Sequence, residues 1–264
     1  MHILVTNDDG VHAPGLLALA QAAREIADEV TVLAPERNWS ASGHVKTLHR
    51  PLRVNQTLLE DGTSAWASDG APSDCVALAQ LGFIPSRIDL VLSGINPNAN
   101  IGHDVTYSGT VTAAMEAAIW GIPGIAVSVD QPEDLTGPVD YHPAAEAALR
   151  IIRWLKAQSD FPEDSVLNVN VPYGPLTEMK GFRITRQGLR IYRDELVRRL
   201  DPRGRPYYWI GGEAPIGVEE PGTDYGALLA GYVSVTPLQL DLTSATMKNW
   251  LSSRDFEQGI EDSK

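Results

Sequence analysis

Ile3, Leu4, Val5 and Thr6 are apolar or β-branched and run without a gap into Asn7-Asp8-Asp9-Gly10. A short apolar run bounded by turn formers reads as a strand of a parallel sheet, the more so when a helical pattern follows. It does follow: Leu16, Leu17, Leu19, Ala20, Ala23 and Ile26 recur at helical spacing over Pro14 to Ile26. Val30 to Ala34 is a second short strand, ended by Pro35. Strand, helix and strand within about 35 residues form a βαβ unit. Open sheets of such units bind ligands beyond the carboxyl ends of their strands. The Asp8-Asp9 pair therefore sits where this architecture keeps its chemistry. Two readings of it stand side by side: a hard-cation site of oxygen ligands, or a solvated turn that caps the next helix.

The alternation continues through the first 160 residues. Residues 51–56 and 64–68 read as a strand pair around Glu60-Asp61-Gly62, and Pro72 to Leu81 as a helix. Cys75 falls on that helix and reads as a small core residue rather than a nucleophile. Asp89 to Ser93 is a strand ending in Gly94-Ile95-Asn96, followed by a polar loop over 97–104. Ser108-Gly109-Thr110 opens a helix running to Ile119; Pro123 to Val129 is a strand and Tyr141 to Leu155 an amphipathic helix. Val166 to Val171, Phe182 to Thr185 and Gly231 to Pro237 read as further strands, and the acidic tail after Asp255 as a frayed helix. Residues 186–225 are rich in Arg, Asp, Gly and Pro around the aromatic patch Tyr207-Tyr208-Trp209. They read as a hairpin arm for subunit contact or as a basic lip over the site.

The expected fold class is α/β: a Rossmann-like, mostly parallel sheet flanked by helices, with a C-terminal β-hairpin and oligomerisation extension. One domain spans 1–264, with its core at about 1–185 and 226–245 and the extension within 186–225 and 246–264. Hydrophobic residues make up 43% of the 264, enough to build a core without disulfides, and a single cysteine forbids an internal one. That cysteine usage, together with the absence of a secretory pattern or a membrane-length apolar run, leads to a cytoplasmic expectation with no membrane contact. A net charge of −13 disfavours nucleic acid polymers as partners, but not a small anion held beside a bound cation.

Two loops supply candidate partners for such an anion. Pro35 to Lys46 leaves the second strand and carries Ser40, Ser42, Gly43 and His44: hydroxyls, a residue permitting close backbone approach, and an imidazole. It reads equally as an ordinary connection. Small residues at the Ser108-Gly109-Thr110 helix start leave N–H groups that suit an anion, or form a simple cap. Other chemistries lack their signatures. No G-x-G, no G-x-x-x-x-G-K-[ST] and no G-x-S-x-G occurs, and six histidines and one cysteine show no zinc spacing. What remains is a hard-metal site in an α/β crevice with an anion site at a helix start.

Four motifs taken together, Val5-Thr-Asn-Asp-Asp-Gly10, Ser40-Ala-Ser-Gly-His44, Ser93-Gly-Ile-Asn96 and Tyr107-Ser-Gly-Thr-Val111, resemble in order and spacing the SurE family of survival proteins. The likeness extends to Gly231-Tyr-Val-Ser-Val-Thr-Pro-Leu238. It implies a metal-dependent phosphatase of nucleoside 5′- and 3′-monophosphates, with some members also acting on short polyphosphate. It further implies one divalent ion per subunit, Mg²⁺ or Mn²⁺, on Asp8, Asp9, Ser40 and Asn96, and assembly as a homodimer or homotetramer. Gly43, Ser108, Gly109 and Thr110 would meet the phosphate. Asp9 would act catalytically through water on the metal, and His44 or His103 would protonate the leaving oxygen. A catalytically weak nucleotide- or phosphate-binding regulator is the alternative. One departure favours it: Asn96 is followed by Pro97-Asn98, where members usually carry Arg-Gly.

Overall fold

The fold was analysed in a computed structural model, which describes all residues except 159, 160, 163, 255, 257–259 and 261–264. The first strand, β1 (His2–Thr6), is buried along its whole length. β2 (Glu29–Pro35) pairs parallel with it on one side and β5 (Leu90–Asn96) on the other. Because side chains alternate across a strand, β1 feeds both faces of the sheet. Ile3 and Val5 join the larger apolar cluster, and Leu4 joins the cluster on the opposite face.

β3 (Val54–Leu58) and β4 (Ser64–Ser68) form an antiparallel pair whose second strand runs parallel to β2. Beyond β5 come β6 (Gly124–Asp130) and β7 (Val166–Pro172), both parallel. β11 (Val233–Leu238) then pairs antiparallel with β7, and β8 (Phe182–Ile184) lies parallel to β11 at the edge. The nine-stranded order is β3-β4-β2-β1-β5-β6-β7-β11-β8. The chain leaves β1 toward β2 and later returns to its other side at β5, so the strand order reverses between β1 and β5. That reversal opens a crevice at the carboxyl ends of both strands.

Helices cover both faces. α1 (Pro14–Arg24) and α4 (His142–Lys156) pack together on one; α2 (Pro72–Leu78) and α3 (Gly109–Ile119) share the other. Pro at the first turn of α1, α2 and α4 suits positions whose N–H has no helical partner. α2 is shorter than the Pro72–Leu81 expectation, because the chain widens into a π-type turn over Ala79–Phe83 with Gly82 at φ +106°. Only glycine adopts that conformation without strain. Cys75 is fully buried on α2, and burial pushes its thiol pKa up.

The Arg-rich segment is a long hairpin, β9 (Arg190–Leu200) against β10 (Pro206–Gly217), forming a two-stranded sheet of its own. α5 (Asp224–Leu229) follows it and returns the chain to β11. α6 (Ala245–Ser252) was not anticipated from the sequence, and none of its residues is buried. The frayed helix expected after Asp255 falls largely on residues outside those described. Among the described residues, no helix is long and apolar enough to cross a membrane.

Candidate active site

The turn after β1 is built from its own side chains. Asn7 accepts from the Gly10 N–H at 3.2 Å and donates to the Gly10 carbonyl at 3.0 Å. Gly10 itself takes φ +105°, which explains the glycine. This closure projects Asp8 and Asp9 from the end of β1 into the crevice. The Trp39 N–H donates to the Asp8 carbonyl at 2.7 Å, tying the loop after β2 to the same point.

Asp8 is buried and faces the start of α3. The Thr110 hydroxyl donates to its Oδ1, and the backbone N–H groups of Gly109 and Thr110 also favour its charged form. Burial outweighs these donors, and the Asp8 pKa is raised. Gly109 is what allows the approach: a Cβ there would lie 2.6 Å from the Asp8 Cβ and 2.9 Å from its Oδ2. Asp9 is less buried, yet burial and then the neighbouring Asp8 charge push its pKa up to about 6. Neither carboxylate has an ion-pair partner among the described residues.

Two neutral side chains expected here belong to the strands flanking β1, Ser40 on the loop that leaves β2 and Asn96 at the carboxyl end of β5. Ser40 donates its hydroxyl to Asn38 Oδ1, which also accepts from the Ser40 N–H at 2.7 Å. Asn38 in turn donates to Asp9 Oδ1 at 3.3 Å. Asn38 therefore links Asp9 to Ser40, a role the sequence analysis missed although an Asn two residues before a Ser is an Asx-turn signal. Asn96 at the end of β5 donates its amide to the Asn98 carbonyl. In both Ser40 and Asn96, protein acceptors take up hydrogens while oxygen lone pairs stay available. An uncompensated acid pair beside neutral oxygens of this kind fits a hard divalent cation. Among the described residues no three His, Cys, Asp or Glu side chains gather into a metal cluster, so a cation here would draw on those neutral oxygens.

Several predicted phosphate ligands are engaged within the protein. Ser108 caps α3 by accepting from the Val111 N–H at 3.1 Å, which leaves its own proton free to donate. Thr110 is committed to Asp8. The Gly43 N–H donates to the Tyr107 carbonyl at 2.9 Å, and the Thr112 hydroxyl to the Gly43 carbonyl at 3.1 Å, so this loop is stitched onto α3. His44 lies with Nε2 2.8 Å from Glu116 Oε2, leaving Nδ1 as its unengaged ring nitrogen. Lys46 and the Trp120 indole converge on the other Glu116 oxygen at 3.1 and 3.0 Å. Glu116 is almost wholly buried; although burial alone would raise its pKa, donation from His44, Trp120 and Lys46 lowers it. His103 is exposed on the turn Gly102–Thr106.

The family model of survival protein SurE matches residues 3–194. The chain belongs to the SurE family. It is 53% identical over 253 residues to a 5′-nucleotidase SurE of Herpetosiphon aurantiacus, covering 96% of this chain and 98% of that one. A 5′-nucleotidase SurE of Geobacter sulfurreducens is 48% identical over 256 residues, covering 97% and 94%. The crystal structure of the Aquifex aeolicus SurE protein superposes with a TM-score of 0.79 at 39% identity, covering 97% of this chain and all of that one. Membership of the SurE family rests on nearly the whole chain, arm included.

The arm's root grips the loop that leads into α3, a contact absent from the sequence analysis. Arg190 and Tyr192 both reach Asp104. Asp224 is fully buried and accepts from the Gly102 and Gly188 N–H groups, each at 2.8 Å. Gln187 donates to the Gly102 carbonyl at 2.9 Å. The segment preceding Ser108 is thus held by residues more than 80 positions away.

Proposed function

We propose that this SurE-family chain is a nucleotidase, hydrolysing nucleoside 5′- and 3′-monophosphates to nucleoside and phosphate with one Mg²⁺ or Mn²⁺ per subunit. The observation that carries the reading is the uncompensated Asp8-Asp9 pair at the β1/β5 switch point, set under the start of α3 and beside neutral oxygen donors. The relatives named 5′-nucleotidase SurE support the substrate class.

Asp8, Asp9, Ser40 and Asn96 would hold the cation. When bound, it would supply Lewis-acid polarisation of the phosphoryl group and a more acidic water. The chain's own part is positional and electrostatic. The Ser108 proton, left free by the α3 cap, is the chain's own donor for a phosphoryl oxygen, while the Gly109 and Thr110 N–H groups hold Asp8 in place beneath it. Asp9, the more accessible carboxylate, orients the attacking water. The Gly43 segment closes the rim against α3. His44, braced by Glu116, offers Nδ1 for the leaving oxygen. Exposed apolar side chains on the arm, Leu196, Trp209 and Ile210 among them, favour self-association as a dimer or tetramer.

The test is phosphate release from nucleoside monophosphates by chelator-stripped protein given back Mg²⁺, Mn²⁺ or nothing. Release that requires the metal and disappears in Asp9→Asn is expected. Nucleotide binding without release, under every metal, would replace this reading with the regulator suggested by Pro97-Asn98.

A further inference from the structure

Beside the Asp pair, on the face covered by α1 and α4, a crevice of about 450 Å³ opens. Asp9 forms part of its wall, so whatever fills it adjoins the reacting centre. His12, Glu36, Asn38, Pro97 and Tyr141 line the rest, drawn from the approach to α1, the exits of β2 and β5, and the head of α4. The Tyr141 ring is held by packing. Its Cε1 lies 3.0 Å from where a Cβ on Gly15 would stand, and Gly15 is itself pressed against the Ile95 carbonyl. Pro97 adds a second rigid apolar surface. Burial and the Asp9 charge raise the Tyr141 phenol to about 12, so it remains a neutral donor.

The charges lining the crevice are as telling as its shape. None of the described lining residues is Lys or Arg, the side chains that recognise phosphate chains. Its acidic side chains are Asp9 and Glu36, with His12 beside them. With Asp9 committed to the cation, Glu36 remains the anionic side chain on this wall, and no Lys or Arg is there to draw in a second phosphate. A neutral group with a flat face and several hydroxyl or amino groups would meet a ring, a proline and three hydrogen-bonding side chains.

We propose that this crevice seats the leaving group, and that Tyr141, Pro97 and Glu36 make it selective for an uncharged nucleoside and against a phosphoanhydride chain. The inference rests on the nucleotidase reading above and adds the specificity determinants to it. Tyr141 and Pro97 bracket the planar base or sugar, while His12, Asn38 and Glu36 meet its polar edge. The Pro97-Asn98 departure from the usual family pattern then acts on substrate choice.

The experiment compares kcat/KM for adenosine monophosphate, glycerol phosphate and tripolyphosphate on the full-length, Mn²⁺-loaded protein. Adenosine monophosphate is expected to exceed each of the others at least tenfold. Tyr141→Ala should lower its kcat/KM at least tenfold, mainly through KM, and Glu36→Gln should raise tripolyphosphate relative to adenosine monophosphate about threefold. Should Tyr141→Ala fail to fold, Tyr141→Leu keeps bulk against Gly15 while removing the ring. Equal kcat/KM for adenosine monophosphate and glycerol phosphate, or a Tyr141 variant with unaltered preference, would overturn the subsite while leaving the phosphatase reading intact. No release from any of the three substrates by folded, metal-loaded protein would overturn both.

Discussion

Gly109→Ala isolates the closest contact in the site. The added Cβ would lie 2.6 Å from the Asp8 Cβ and 3.1 Å from its Cγ. Carbon atoms rest at about 3.5–4.0 Å, so Asp8 or the start of α3 must retreat by about 1 Å. Asp8 has little room to yield, being buried and held by Thr110. Ala is favoured over Gly in a helix by about 1 kcal/mol, whereas overpacking costs about 1–3 kcal/mol. The net loss is about 0–2 kcal/mol, a fall in Tm of at most about 8 °C for a chain of this size. Displacing a positioned group by about 1 Å costs on the order of 100-fold in rate, so activity should suffer more than stability. Thermal denaturation and metal-dependent phosphate release on the same preparation separate the two effects. A variant with raised Tm and unchanged release would refute the argument that α3 needs glycine to reach Asp8.

Three other perturbations follow from particular contacts. Asp9 has a folded-state pKa of about 6 against an ordinary 3.8, so the metal-free folded protein keeps a proton that the unfolded chain has lost. Its contribution to stability therefore falls as pH rises from about 4 to about 6 and is constant above that; the Tm gain of chelator-stripped Asp9→Asn over wild type should grow across that window and then level off. A gain independent of pH would contradict the shift. Glu116→Ala strands His44, Lys46 and Trp120 and should cost about 2–3 kcal/mol, read by urea denaturation, with the 40–46 loop gaining amide hydrogen exchange. Asp224→Ala removes the acceptor shared by Gly102 and Gly188, and should raise KM several-fold by freeing the loop before Ser108. Unchanged KM in a folded Asp224→Ala would show that the arm's root does not steady that loop.

The sheet was legible where burial makes a strand uninterrupted. Ile3 to Thr6 and Leu90 to Leu92 are apolar or β-branched because both faces are covered, and Val166 to Val171 keeps that pattern except at Asn168 and Asn170, which bond the Asn100 backbone; turn-forming neighbours mark the ends. α4 was equally plain, since its apolar residues recur at helical spacing. The insertion of β11 between β7 and β8 was not readable: it depends on pairing between residues 166–170 and 234–238, a distance over which local pattern carries no signal. The same limit hid the pairing of His44 with Glu116, 72 positions apart, and the grip of Arg190 on Asp104. Asp8, Asp9 and Asn96 could be placed at strand ends from local pattern alone. That Thr110 points at Asp8, rather than outward as an anion donor, required the packing of α3 onto β5 and β6.

The central claim is that Asp8 and Asp9 together hold a divalent cation. Isothermal titration of chelator-stripped protein with Mn²⁺ near neutral pH tests it most directly. One ion bound per chain, with affinity at least 100-fold weaker in Asp8→Asn and in Asp9→Asn, is the result predicted. Binding of the same strength and stoichiometry in both variants would contradict it.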